Sequence, residues 1–324
     1  MTFAGSTVQD EVAWQVRARR AARGIRLRVL EHTLNSNGGY LSQACSAAEI
    51  FATLYTRVMN LGPSVAPLIP IPFNTVPGPQ NPNPIRGADY NGPRSPELDR
   101  FFLSPGHYAL VEYATLVEVG RLAPEGLAAF NQDGSTVEMI GADHSPGFEV
   151  MSGALAQALS FAGGVALSRK LRGETGKVWV FMSDGELEEG QTWEALSALS
   201  YYQLDNVGIF IDANGQQCDG PIASVMNIEP LRSRLEAFGA AVVEVNGHDV
   251  DALAAGAQTA HPGKPLAVIA RTSPYQGIDV LAARRPNFHY IRFKTSEEFQ
   301  AYQAVYQQMA AASAAPTKGG SWKS

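Results

Sequence analysis

The chain has 324 residues, 45% of them hydrophobic, enough for one large or two small globular domains with a sizeable core. With 25 basic against 31 acidic residues and a net charge of −6, nothing points to nucleic acid or an acidic membrane surface. No apolar run approaches the ~18 residues of a membrane span. There is no signal-peptide core, and Cys45 and Cys218 are too few for a disulfide framework, so a reduced cytoplasmic setting is expected.

Residues 8 to 34 read as a helix marked by Val12, Val16, Ile25, Leu27, Leu30 and Leu34. Its basic cluster, Arg17 to Arg28, reads as a solvated or interface face. Asn35 to Gly39 breaks it. A second helix is expected from Ser46, because Ser46-Ala47-Ala48-Glu49 has the spacing of a capping box. Residues 62 to 96 hold 10 of the 20 prolines and cannot form a regular helix or central strand. Ile69, Ile71 and Phe73 are candidates to dock this segment on a surface, as an ordered loop near the site or a subunit interface. Phe101 to Leu103 is apolar and stops at Ser104-Pro105-Gly106. His107 then opens a helical pattern, where it can donate to an anion. A helix of small residues is expected from Ser152 to Leu171.

The most informative stretch is Val178 to Gly220. Val178–Met182 and Val207–Ile211 read as buried strands, with a helix from Glu186 to Tyr202 between them. Asp184-Gly185 stops the first strand and Asp212-Ala213-Asn214-Gly215 the second. In an open parallel sheet both strand ends face one crevice, where ligands bind. Asp184, Asn214 and a nearby carbonyl such as that of Gln216 would give a small hard cation three oxygens. Gly185 lets backbone approach a phosphate, and the helix N-terminus at Glu186 offers N–H groups to it. Asp-Gly and Asn-Gly are also common turn pairs, so the signal lies in their pairing at two strand ends. Strands at 241–245 and 266–271 and helices at 231–238, 251–260 and 297–311 complete an alternating pattern. The expected fold is α/β, a doubly wound, mainly parallel sheet.

The segment Ser183-Asp184-Gly185 with Asn214 30 positions beyond Asp184 resembles the thiamine diphosphate motif of the transketolase family, with Ser183 in place of the first glycine. Glu188-Glu189-Gly190, Asp99 to His107, Gly38 to Gln43, Ser152 to Ala158 and Phe288-His289 carry further resemblance, covering roughly Ile25 to Phe293. It implies thiamine diphosphate and Mg²⁺ or Ca²⁺ as cofactors, with Asp184, Asn214 and Gln216 on the cation. It places Gly153, Ala154 and Leu155 on the aminopyrimidine edge, and Gly185 and Glu186 by the diphosphate. His107 and His289 would contact phosphate or substrate. Tyr40 stands where the family has a substrate-facing histidine, and His144 lies near another histidine position. The resemblance covers one diphosphate-binding domain, taken as 1–315 with an insertion at 62–96 and a flexible tail at 316–324. The activating glutamate of the family belongs to its pyrimidine-binding domain, so a partner chain carrying that domain and the C-terminal domain is expected. Glu189 would meet the partner's glutamate, and a two-fold heterotetramer would result. The implied activity is transfer of a two-carbon ketol or acyl unit. Gly38-Gly39-Tyr40-Leu41 is also similar to 2-oxo acid dehydrogenases, which leaves open a subunit passing that unit to a lipoyl or acyl carrier protein. A scaffold with a decayed site is a third reading.

Overall fold

The structure is a computed structural model that describes residues 8–314, with side chains from 14 to 313. Val12 and the tail expected at 316–324 lie outside those described side chains and residues. The chain runs through α1 (Val8–Asn35), β1 (Gly38–Gly39), α2 (Leu41–Thr53), β2 (Arg100–Leu103), α3 (Ala109–Glu118) and a short α4 (Pro124–Leu127). It continues with α5 (Ala158–Leu171), β3 (Val178–Ser183), α6 (Gly190–Tyr201), β4 (Val207–Ala213) and the small hairpin β5 (Gln216–Gln217) and β6 (Gly220–Pro221). Then follow α7 (Ile222–Val225), α8 (Leu231–Ala237), β7 (Ala241–Asn246), α9 (Val250–Ala257), β8 (Leu266–Arg271), β9 (Ile291–Arg292) and α10 (Ser296–Ala314).

Five strands form one sheet in the order β2-β3-β4-β8-β7, and every pairing in it is parallel. Such strands are covered on both faces, which is why they read as unbroken apolar runs. Alternate side chains serve the two layers. Phe101, Leu103, Trp179, Phe181, Phe210 and Val268 join the core under α1, α2, α3 and α9. Phe102, Val178, Val180, Met182, Ile209 and Ile211 join the core under α5, α6 and α8. Apolar contact thus occupies the strand bodies, and polar chemistry is left to the strand ends. The carboxyl ends of β2, β3 and β4 carry His107, Asp184 and Asn214.

Several expectations need correction. The second helix starts at Leu41, not Ser46. Gly38-Gly39 pairs antiparallel with β9, and the chain turns into α2 directly after Tyr40. Ser46 is therefore inside the helix and makes no capping box. Its hydroxyl donates to Asp212 and the Gln43 carbonyl instead, while Glu49 pairs with Arg26. The small-residue helix begins at Ala158, and Ser152 to Gln157 form a turn in which Ala156 takes a φ of +66°. After β3 a 3-10 turn over Asp184–Glu188 precedes α6, which starts at Gly190. The proline-rich segment holds only a 3-10 turn, Gly87–Asn91, and one isolated bridge. It is pinned through backbone: Leu68 accepts from Ala123, Phe73 donates to Gly134 and Gly87 to Asp143. The side chains of Ile69, Ile71 and Phe73, expected to dock it, are exposed. Among the basic residues of α1, Arg26 is buried against Glu49 and is not a solvated charge.

Glu112 of α3 is wholly buried beneath these loops. Tyr55 donates to its Oε1, and its Oε2 has no partner. Burial pushes its carboxyl up from 4.5 to about 8, against the opposing pull of Tyr55 and Arg121. Between those values the folded chain keeps a proton that the unfolded chain has released, so stability falls as pH rises through the window. Glu112→Gln removes this dependence. Urea titrations at about pH 5 and pH 8 should show a smaller loss of stability in the variant than in wild type, by at most about 1.4 kcal/mol per pH unit. Equal losses would mean that Glu112 ionises freely in the fold.

Candidate functional site

β3 and β4 run side by side, with Ser183 in register with Asp212. Asp184 therefore leaves β3 beside the end of β4. Its side chain is buried, and its two oxygens accept from Gly185 N at 3.0 Å and Gly215 N at 2.7 Å. The carboxylate thus ties the two strand ends together. Gly215 sits at φ +73°, a left-handed turn that suits glycine. Asn214 accepts from Gln216 N at 2.9 Å through Oδ1. Its Nδ2 donates to Tyr108 OH and Asp212 Oδ2, both at 3.1 Å.

Charge at this floor is not balanced by protein. Burial, and then the charge of Asp212, holds the Asp184 carboxyl well above the usual carboxylate range. Burial also raises Asp212, although Ser46, Thr272, Tyr108 and Asn214 all donate to it. Among the described residues no lysine or arginine pairs with either group. Nearby, Gln216 Oε1 is buried without a hydrogen-bond partner. Asp184, the Asn214 amide oxygen and the unused Gln216 amide oxygen make an oxygen-rich set of hard donors that fits a small divalent cation.

The crevice above is lined by Ser183, Gly185, Asn214 and Gln216 on one side and by Leu155, His107 and His289 on the other. A Cβ at Gly185 would meet only Gln217, at 3.4 Å, and would take up crevice space. Four rings gather at the mouth. Tyr40 lies 5.9 Å from His107, 5.4 Å from His289 and 5.0 Å from Tyr290, and the two histidines are 4.8 Å apart. Burial, and then His289, pushes His107 down to about 3, and burial lowers His289. Both imidazoles are neutral near pH 7 and can donate through one nitrogen and accept through the other.

The structure thus brings His107, His289, Gly185, Asn214, Gln216 and Leu155 to one crevice, with Tyr40 packed on its two histidines and Asp184 buried at the strand end beside it. Gly153 and Ala154 lie in the turn that delivers Leu155. Glu189 is exposed at the rim. Glu186, expected beside a diphosphate, is not in the lining. It is wholly buried and accepts from Ser104, from Ala156 N at 3.0 Å and from Ser183 N at 2.8 Å, knitting three segments. Burial brings its carboxyl up to about 7. His144 is elsewhere: it packs on Phe73 at 4.8 Å, lies 3.2 Å from Glu138, and lines a cavity under the proline-rich segment. Sequence reasoning missed Asp212 and Tyr108. Asp212 reads only as the first residue of the stop after Ile211, although β4 runs on through it to Ala213, and Tyr108 follows His107 without a pattern of its own.

Comparison with known proteins identifies the family and the fold. The family profile described as "Transketolase, thiamine diphosphate binding domain" matches residues 84–279. A transketolase family protein of Sinorhizobium fredii is 33% identical over 289 residues, 88% of this chain and 93% of its own. One subunit of the apulose-4-phosphate transketolase of Actinobacillus succinogenes is 32% identical over 274 residues, 84% of this chain and 89% of its own. Human transketolase is 30% identical over 89% of this chain but only 42% of its own length. A Pichia stipitis transketolase mutant solved with fructose 6-phosphate superposes with a TM-score of 0.66 at 22% identity, over 92% of this chain and 45% of that one. The chain therefore spans less than half the length of these two larger proteins, and the structural likeness establishes the fold.

The unbalanced floor has a measurable signature. Burial holds Asp184 toward its neutral form when no ion is bound, and asparagine is its neutral mimic, so the ion-free Asp184→Asn protein should melt close to the wild-type temperature. The rise in melting temperature on adding Mg²⁺ with thiamine diphosphate should disappear. A large drop in ion-free stability would show that the carboxylate is there to hold the fold.

Proposed function

Since the chain belongs to the transketolase family and carries its thiamine diphosphate-binding domain, we propose that it is the cofactor- and cation-binding subunit of a split transketolase-like enzyme. Its reaction is the transfer of a two-carbon unit from a donor to an acceptor. One observation carries the site assignment: Asp184 is buried at a strand end with no lysine or arginine paired to it among the described residues, beside Asn214 and an unpartnered Gln216 Oε1. Asp184, Asn214 and Gln216 would hold Mg²⁺ or Ca²⁺. Gly185 leaves room for the diphosphate, and Gly153, Ala154 and Leu155 would contact the ring portion. Bound thiamine diphosphate supplies the carbanion chemistry of two-carbon transfer. The chain's own residues bind, orient and shield. His107 and His289, kept neutral, can each give or take a hydrogen bond at the reacting end, and Tyr40 and Tyr290 narrow the entrance.

The partner requirement draws support from the relatives. The Actinobacillus succinogenes relative is matched along most of its length, and its name marks it as one part of an assembly. A second chain with the pyrimidine-binding and C-terminal domains would supply the activating acid, and a pair of such heterodimers about a two-fold axis is the assembly we favour. Glu189, exposed at the rim, would meet that chain's glutamate.

Three outcomes are expected. Asp184→Ala should weaken thiamine diphosphate binding by about 2 kcal/mol or more in calorimetry, the scale of truncating a charged partner. Wild-type affinity there would remove the site assignment. The purified chain alone should not accelerate exchange of the cofactor's thiazolium C2 proton in deuterium oxide, whereas the chain with its partner should. Fast exchange by the chain alone would show that it holds its own activating acid. Tyr40→His should leave cofactor affinity unchanged and alter the choice among phosphorylated ketose donors. If Tyr40→His and Tyr40→Phe match wild type with every donor, the ring only packs.

A further inference from the structure

The orientation of the Asn214 amide is fixed by a neighbour that never reaches the crevice. Asp212 is wholly buried near the end of β4, two positions before Asn214. Its Oδ2 accepts from Ser46 Oγ at 2.5 Å, Tyr108 OH at 2.8 Å and Asn214 Nδ2 at 3.1 Å. Its Oδ1 accepts from Thr272 Oγ1. A carboxylate can only accept, so the amide end facing it must be the NH₂. Tyr108 gives its proton to Asp212 and therefore presents a lone pair to the same NH₂. With Nδ2 held by two acceptors, Oδ1 is turned the other way. There it accepts from Gln216 N and keeps a lone pair for a ligand.

From this geometry we infer that Asp212 is the positioning residue of the cation site, acting through Asn214 by fixing which end of its amide faces the ion. The inference rests on the proposed cation site and adds its support. Three elements hold the support in place. Ser46 comes from α2, Tyr108 from the turn before α3, and Thr272 directly follows β8. The role of Ser46 as a donor from inside α2 accounts for a hydroxyl in a wholly buried helix. Groups that orient a metal ligand from behind typically change metal affinity by about 10–100-fold when removed.

The test uses the full chain with saturating thiamine diphosphate and follows free Mn²⁺ by electron paramagnetic resonance. Asp212→Leu, which has no acceptor, should weaken Mn²⁺ binding by about 10–100-fold. Asp212→Asn should stay within about threefold of wild type, because its amide oxygen can take the Asn214 NH₂ while its own NH₂ faces Thr272. In an Asn214→Ala background the Asp212→Leu loss should shrink to within about threefold, the non-additivity of residues acting as one unit. Equal losses in Asp212→Leu and Asp212→Asn would put charge in control and overturn the inference. So would losses that multiply in the double variant, or unchanged affinity in Asp212→Leu. If Asp212→Leu does not fold, the Ser46→Ala/Thr272→Val pair loosens the carboxylate without removing it. A loss of about threefold or more is then expected, and unchanged affinity overturns the inference. Absence of Mn²⁺ binding in wild type would remove the cation site itself, and this inference with it. Binding in wild type that no Asp212 variant alters removes only the inference.

Discussion

Burying a carboxylate away from any cation is costly, and the carboxyl edge of this sheet does it twice, at Asp184 and Asp212. Neutral donors meet the cost only in part: the N–H groups of Gly185 and Gly215 for one, hydroxyls and an amide for the other. The contrast lies within the same chain. Burial alone would push Glu49 up, yet hydrogen bonds from His248 and Arg26 outweigh it and bring its carboxyl below the usual value. Glu49 joins α2 to α1 and to the loop after β7, and is fully paired. Asp184 and Asp212 are at least as buried, and among the described residues no lysine or arginine pairs with them. A fold that can place arginine beside a buried acid, and does so at Glu49, leaves the crevice floor without one.

The rest of the site follows from keeping that floor rigid. Parallel strands covered on both faces fix the strand ends to each other, so Asp184 and Asn214 are placed by the register of β3 and β4 and not by their loops. Glu186 extends the same rigidity outward. By gathering the N–H of Ala156 and the groups of Ser183 and Ser104, it holds the turn that carries Gly153 to Leu155 against the floor. The positive φ of Ala156, unusual for a residue with a Cβ, is held by that hydrogen bond to Glu186.

Much of this was legible in the sequence, for a physical reason. A strand buried on both faces has to be apolar, so Val178–Met182 and Val207–Ile211 announce themselves, and the polar residues that stop them mark the crevice. Asp184 and Asn214 were readable because they stand at those stops. Asp212 was not, since one acid at the end of an apolar run looks the same whether it anchors hydroxyls or faces solvent. Ser46 and Glu49 misled for the related reason that a capping box is a spacing, while the partners that claim these two side chains, Asp212 and Arg26, are 166 and 23 positions away. His144 has a histidine's chemistry, but the backbone pinning of the proline-rich segment takes it to another cavity. Hydrogen bonds between main-chain groups leave no trace in composition.

The neutrality of the histidines completes the argument about charge. Protonated imidazoles at the mouth would themselves supply positive charge near the floor and compete with a bound ion. Burial pushes His107 down to about 3 and lowers His289, and the Tyr40 ring beside both is held protonated by its own burial. The aromatic cluster that narrows the entrance is therefore also what keeps these rings uncharged. Uncharged walls above a floor of oxygen groups leave the imidazoles free to exchange hydrogen bonds with a ligand in the crevice.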